Sequence, residues 1–492
     1  MSRAEVEGRA EVEGVLVPTG HLIDGRRVAS DDSFEVRSPI DWEGFKLADV
    51  ARGGGAEVDA AVAAARRAFP AWAALGPEGR HAILSRLADA IEAAVPALAA
   101  VETVDNGSLH EAMSQRVLPR GASNLRFFAD YAVERLAEPD RTLPGGERNR
   151  VRHDPSGVTA VSTPWNAPFM LATWRVGPAL AAGNTVVLKP PEWAPLTCSM
   201  LGDLAAEAGV PPGVLNIVHG AGTEAGAPLT GHPDVDRVAF TGSPQTARTV
   251  YRDAAAQLTP VSFELGGKSP FVVFEDADLD AAVATAAYQF DNSGQVCLAG
   301  TRLLVQDSVM EEFLARLHAR AAEIRVGDPR APDTTYGPLI HPVALERVTG
   351  HVARAIEEGA RLVFGGEPLG GLYYAPTLFA DVPPDAEILC NEVFGPVLTL
   401  QGFADEAEAI AIANGSDYGL AATVYTASAE RSERVSAALV AGTVWVNCFY
   451  VRDLETPFGG SRDSGIGREG GRHSFDFYCD VKTICERTAL FA

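Results

Sequence analysis

The sequence predicts an α/β protein with two doubly wound parallel sheets, and three observations predict it. From Val158 onward, short β-branched runs alternate with helical segments. A second run of the same texture starts at Phe271. The chain has 492 residues, too many for one ordinary domain, so the two runs are expected to form separate units.

Residues 1–18 open the chain. They are polar, carry the imperfect repeat Ala4–Gly8 and Ala10–Gly14, lack the apolar core of a signal peptide and read as a disordered tail. His21-Leu22-Ile23 and Arg27-Val28 then flank Asp24-Gly25, a hairpin turn signal, and Phe34 to Ser38 follows as a strand. Val58, Ala61, Val62, Ala65, Phe69 and Trp72 keep helical spacing across Val58 to Ala74. Arg80 to Val104 is a second helix, which Pro96 is expected to interrupt.

Strands are expected at Val158–Val161, Thr185–Leu188, Leu215–Val218 and Arg237–Phe240, with helices such as Leu196 to Ala208 between them. Sheets of this kind bind ligands at the carboxyl ends of their strands. After about residue 260 the pattern restarts with Phe271–Phe274, Arg302–Val305, Leu362–Phe364 and Thr443–Val446, and helices such as Met310 to Ile324. Gly146 to His153 and Phe477 to Arg487 read as strands able to pair with another subunit.

Composition narrows the function. The formal net charge of −24 repels phosphate backbones and anionic lipid, so nucleic acid and membrane surfaces are not expected partners. No stretch approaches a membrane span. Six scattered cysteines show no metal-ligand spacing, so no metal is expected, and their use fits a reducing cytoplasm.

Four segments carry chemistry. Gly220 to Gly226 follows a strand and is one residue too long for a dinucleotide fingerprint; a glycine-rich turn explains it equally well. Glu264 stands before Leu265-Gly266-Gly267-Lys268, as a base on a flexible turn or as a surface residue; Lys268 is read as structural. Cys297 follows the turn Asn292-Ser293-Gly294-Gln295-Val296. A helix starting there would lower its pKa and favour the thiolate, whereas a buried cysteine is the commoner case. Asn166 lies between Pro164 and Pro168, which stiffen a loop around an amide suited to a developing oxyanion.

Taken together and in order, these segments resemble the aldehyde dehydrogenase superfamily. The match runs from His21 to Cys485 and includes Pro164-Trp165-Asn166, Lys189-Pro190-Pro191-Glu192, Phe240-Thr241-Gly242-Ser243, Glu264 to Lys268, Gly294 to Cys297, Glu392-Val393-Phe394-Gly395-Pro396 and Pro457-Phe458-Gly459-Gly460. The resemblance implies an NAD-binding domain over residues 19–138 and 155–259, a catalytic domain over 260–470, a β oligomerisation arm over 139–154 and 471–492, and a homodimer or homotetramer. It implies that Cys297 is the nucleophile, that Asn166 and the Cys297 N–H hold the oxyanion, that Glu264 activates water, and that Glu469 takes part in proton relay. NAD would lie against Thr163, Trp165, Lys189, Glu192, Gly222, Gly226, Phe240, Ser243, Leu265, Glu392 and Phe394. A carboxylate at Glu192 accepts from the adenosine ribose hydroxyls and repels a 2'-phosphate, which favours NAD over NADP.

A finer resemblance, to dehydrogenases of 2-hydroxymuconate and 2-aminomuconate semialdehydes, rests on Leu118-Pro119-Arg120, Asn124 to Ala129, Asn447 to Leu454 and Ser464 to Gly471. It casts Arg120 and Arg452 as a clamp on a substrate carboxylate, placing positive charge where this acidic protein needs it. Glu455, Asp291 and Ser293 depart from the pattern; Glu455 or Asp453 would be placed to pair with Arg452, and Asp291 and Ser293 to reshape the pocket. Betaine aldehyde, succinate semialdehyde and aromatic aldehydes are the alternative substrates, and an NAD-binding scaffold without turnover is the alternative of a different class.

Overall fold

The computed structural model describes residues 8–487. Its first large sheet has eight strands. The five parallel ones lie in the order Val261–Glu264, Arg237–Thr241, Val158–Ser162, Thr185–Lys189 and Leu215–Ile217. The chain moves outward from Val158–Ser162 in one direction, then returns to its other side, so the strand order reverses there. The hairpin His21–Ile23 and Arg26–Val28 closes one edge, and Gly465–Ile466 closes the other.

Both faces of this sheet are covered around its central strands, which is why those strands carry apolar side chains on both faces. Val161, Val186, Leu188 and Ala239 pack into one core. Their neighbours Ala160, Val187, Val238 and Phe240 pack into the core on the opposite face. The second large sheet, of seven strands, follows the same rule: Phe271, Val273, Leu303 and Val305 face one core, and Val272, Phe274 and Leu304 the other.

Five expectations are corrected. Residues 8–18 are not a disordered tail, because Arg9–Val12 pairs with Val15–Pro18 and Val12 and Val17 are buried; residues 1–7 lie outside the described residues. Pro96 does not interrupt its helix, which runs unbroken over Gly76–Asn106. The strand Val261–Glu264 belongs to the first sheet, so the boundary falls after Glu264 rather than at 259/260. Gly465–Ile466, assigned to the 260–470 unit, also pairs into the first sheet. Helix Gly471–Tyr478 buries Phe475 and Tyr478 in the first unit's core, so the arm begins at Cys479, not at 471.

The two segments expected as strands do form strands. Cys479–Glu486 pairs antiparallel with Arg148–Pro155, and Val481 stands exposed on the outer strand. Residues 488–492 of the expected arm lie outside the described residues.

Candidate active site

A cavity of about 790 Å³ opens where loops from both sheets meet. Four of its components leave the carboxyl edge of the first sheet. The strand Val158–Ser162 delivers Pro164, Trp165 and Asn166; Arg237–Thr241 delivers Gly242 and Ser243; Val261–Glu264 ends on Glu264 itself; Leu265 and Gly266 follow it. The second unit contributes Cys297 just before the strand Arg302–Gln306, and Glu392 and Phe394 just before Val397–Phe403.

The turn that carries the thiol has unusual backbone. Asn292, Ser293 and Gly294 are all left-handed, with φ of 51°, 57° and 68°. Only glycine fits at 294, since a Cβ there would lie 2.1 Å from the Gly395 carbonyl oxygen. Side chains hold the turn in place. The Ser293 hydroxyl donates to the Gly337 carbonyl at 2.5 Å, and Ile340 N donates to Gln295 Oε1 at 3.0 Å. Ser293 is therefore a buried anchor and does not shape the pocket as expected.

Cys297 lies in a turn, not at a helix start, so no helix dipole acts on it. Burial pushes its thiol up to about 12, and the carboxylates of Glu392 and Glu264 add to the shift. Of the two readings the sequence leaves open, the buried cysteine fits this setting and the helix start does not; a thiol held this way must lose its proton as it attacks. Gly267 lets the loop after Glu264 approach, because a Cβ there would sit 2.6 Å from the Cys297 carbonyl oxygen.

Asn166 joins this turn as its sequence position suggests. Its Nδ2 donates to the Gln295 carbonyl at 3.0 Å, which leaves the second amide hydrogen for another acceptor. Asn292 Nδ2 donates back to the Asn166 carbonyl at 3.3 Å. Glu264 is buried, and neither carboxylate oxygen has a hydrogen-bond partner. Burial pushes its carboxyl up to about 7, against the pull of Arg175, Arg452 and Arg468.

Glu469 also lines the cavity but is tied down. It pairs with Arg175 and accepts from Trp174 Nε1 at 2.5 Å and from the Ser262 hydroxyl at 3.2 Å. The exposed glutamate that stood as its alternative reading is excluded by its 3% exposure.

One end of the cavity is lined by Trp165, Ser243, Leu265, Glu392 and Phe394. Trp165 and Phe394 meet edge to face at 5.3 Å. Glu392 accepts from Gly267 N at 2.9 Å, and burial pushes its carboxyl up to about 7. Ser243 caps the helix Pro244–Ala255 by accepting from Thr246 N; Pro244 has no N–H and Ala247 N bonds to the Ser243 carbonyl, which leaves the N–H of Gln245, a residue of the cavity wall, as the first-turn donor.

Six expected cofactor residues are not on this wall. Thr163 and Phe240 are buried beside it. Lys189, Glu192 and Gly226 form a neighbouring group. There Lys189 Nζ donates to Glu192 Oε2 at 3.2 Å, and Gly226 lies against the lysine stem. Gly222 begins the turn Gly222–Gly226, with open space where its Cβ would point.

The other end holds Arg116, Arg120, Tyr450, Arg452, Trp174 and Phe458. Arg452 is sandwiched between the Phe458 and Trp174 rings, at 3.7 and 4.7 Å from their centroids. Glu455 does not pair with Arg452 as expected; it pairs with Arg135. Among the described residues neither Arg120 nor Arg452 makes an ion pair. Sequence reasoning missed Arg116, Tyr288, Trp174 and Arg175. The first two meet across 172 positions, which no local pattern reveals. An arginine inside the otherwise apolar helix Pro168–Ala182 was a usable signal for Arg175.

Comparison with known proteins decides the family. Residues 27–484 match the model of the Aldehyde dehydrogenase family. The chain belongs to that family. Among curated relatives of this aldehyde dehydrogenase, it is 44% identical over 483 residues to a 2-hydroxymuconic semialdehyde dehydrogenase of Pseudomonas sp. (strain CF600), covering 94% of this chain and 98% of the relative. It is 42% identical over 466 residues to the 5-carboxymethyl-2-hydroxymuconate semialdehyde dehydrogenase of Escherichia coli, covering 92% of this chain and 98% of the relative. Among solved structures, an indole-3-acetaldehyde dehydrogenase of P. syringae in complex with NAD+ and IAA matches with a TM-score of 0.94 and 38% identity, over 96% of this chain and 97% of that one.

Proposed function

We propose that this aldehyde dehydrogenase uses NAD to oxidise an acidic semialdehyde of the 2-hydroxymuconate type to a carboxylic acid. The observation that carries the substrate is the pair Arg120 and Arg452, both on the wall of the cavity that holds Cys297 and both without a carboxylate partner among the described residues. Unpaired guanidiniums in a confined site are costly, and a bidentate substrate carboxylate relieves that cost.

The residues present fit the cofactor. Glu192 and Lys189 offer an acceptor and a donor for one ribose, Ser243 stands at a helix start suited to phosphate, and Glu392 offers an acceptor beside the Trp165–Phe394 pair. Bound at this end, NAD supplies the hydride acceptor.

The chain's own groups account for the remaining steps. The Cys297 sulfur bonds to the aldehyde carbon as its proton passes to water in the cavity, the carbonyl electron pair moves onto oxygen, and the Asn166 amide and Cys297 N–H stabilise the resulting oxyanion. Loss of hydride from that carbon leaves a thioester on Cys297. Glu264 takes a proton from water, the water oxygen bonds to the acyl carbon, and the C–S bond breaks to release the acid and restore the thiol. Glu264 favours this hydrolytic ending over transfer to a thiol acceptor, which needs no such base. The exposed outer edge of Cys479–Glu486 supports assembly with further copies of the chain.

The test is NADH formation across 2-hydroxymuconate semialdehyde, succinate semialdehyde, betaine aldehyde, benzaldehyde and propanal. The muconate semialdehyde should show the highest kcat/KM, and Arg120→Ala should raise KM for it far more than for propanal. Equal effects on both would remove the clamp.

A further inference from the structure

Asp291 has no part in the steps above, although it lies on the nucleophile's own turn and lines the cavity. Its Oδ2 accepts from Arg116 Nη2 at 3.3 Å, and its side chain is only 17% exposed. Arg116 also donates to the Tyr288 hydroxyl, and its guanidinium lies 5.7 Å from the Tyr288 ring centroid and 6.0 Å from that of Tyr450. These contacts place Arg116, its side chain half exposed, at the same end of the cavity as Arg120 and Arg452.

The charges at that end can be counted. Arg116, Arg120 and Arg452 bring three positive charges, and Asp291 brings one negative charge. The other carboxylates on the cavity wall are engaged or lie elsewhere. Glu469 is bound to Arg175, Asp463 to Arg248 beside Asp417, and Glu392 to Gly267 N; Glu264 stands with Cys297 and attracts Arg452 without a hydrogen bond or ion pair to it. Two guanidiniums without an ion pair remain, Arg120 and Arg452; burial and then the charge of Arg120 disfavour the charge of Arg452.

We propose that Asp291 determines specificity by setting the charge of the acyl pocket: it cancels Arg116, leaves two free guanidiniums for one carboxylate, and so selects semialdehydes with one carboxylate over those with two. This rests on the reading of the substrate as an acidic semialdehyde. A second carboxylate entering the pocket meets a neutral Arg116–Asp291 pair, and it loses its hydration without gaining a free cation. Without Asp291, Arg116 stays in position through Tyr288 and becomes that cation.

The experiment compares kcat/KM for 2-hydroxymuconate semialdehyde, with one carboxylate, and 5-carboxymethyl-2-hydroxymuconate semialdehyde, with two. In Asp291→Asn the ratio of the second to the first should rise about tenfold, mainly through KM, as expected for one added charge-assisted contact. An unchanged ratio overturns the proposal.

Should Asp291→Asn disrupt the turn and abolish activity, Arg116→Gln gives the reverse test. It leaves Asp291 unpaired, so the dicarboxylate should lose more kcat/KM than the monocarboxylate; equal losses overturn the proposal. Failure of the underlying reading would look different: the wild-type protein would oxidise a neutral aldehyde of the same length as well as either acid.

Discussion

Glu264 and Glu469 line one cavity in opposite surroundings. Glu469 meets three donors, from Arg175, Trp174 and Ser262. Glu264 meets none, and its carboxyl is pushed up to about 7 by burial alone. A buried carboxylate with every oxygen satisfied holds its neighbours in place, whereas one left without partners is a destabilising feature that persists where chemistry needs a base. The difference supports the proposed proton transfer by Glu264 and a positioning role for Glu469. It also explains how Glu469 reaches the substrate end: the Trp174 ring that donates to it carries Arg452 on its face.

The largest effect that would break this contrast is on turnover. Glu264→Gln should lower steady-state kcat by about 10²–10⁴-fold, the range for loss of a general base. A first-turnover burst of NADH should survive, because the thioester still forms. Glu264 acts as the carboxylate in hydrolysis of the thioester, so wild-type kcat should rise with pH through about 7 and then level. That limb should vanish in Glu264→Gln and remain in Glu469→Gln. If instead it vanished in Glu469→Gln, the relay implied by the family match would be restored to Glu469.

Stability gives the next largest effect. Glu469→Gln leaves Arg175, 1% exposed, without its counter-charge, and breaking a buried pair in this way costs roughly 3–5 kcal/mol. Chemical denaturation should show that loss. KM for an acidic semialdehyde should rise with it, because Trp174 and then Arg452 lose their support. A stable variant with unchanged KM would show that Glu469 positions nothing.

The sequence singled out both glutamates but showed the surroundings of neither. Asn166 and Ser243 follow expected strands, so their place at a carboxyl edge was readable; Glu264 was read as a base on a flexible turn or as a surface residue, and the strand Val261–Glu264 that carries it was not expected. The two sheets were readable too, since parallel strands buried on both faces leave continuous apolar runs. Less legible was whatever depends on distant partners. The pairing of Glu469 with Arg175 spans 294 positions, and that of Arg116 with Asp291 spans 175. For Cys297 the sequence left a helix start and a buried cysteine both open, because it does not show that successive left-handed residues turn the chain without a helix. Pro96 was misread because a proline ends a helix only when the packing around it cannot absorb one missing hydrogen bond. Here Leu98, Ala99 and Val101 just beyond it are fully buried.

The smallest effect separates the two glutamates by pH rather than by size. Folding raises the Glu264 carboxyl from 4.5 to about 7. The folded state therefore holds this proton more tightly than the unfolded chain. The stability this contributes is full below about pH 4.5, declines as pH rises and is lost above about pH 7. At pH 8 the ionised Glu264 makes the native state less stable by about 3 kcal/mol relative to its protonated form, from a shift of between two and three pH units. Glu264→Gln, which cannot ionise, should gain in apparent Tm over the wild-type protein as pH goes from 5 to 8. Glu469→Gln should lose at both ends of that range, since Arg175 is charged throughout. If the Glu264→Gln advantage did not change between pH 5 and 8, Glu264 would be ionised in both, and its lack of hydrogen-bond partners would not be what sets its acidity.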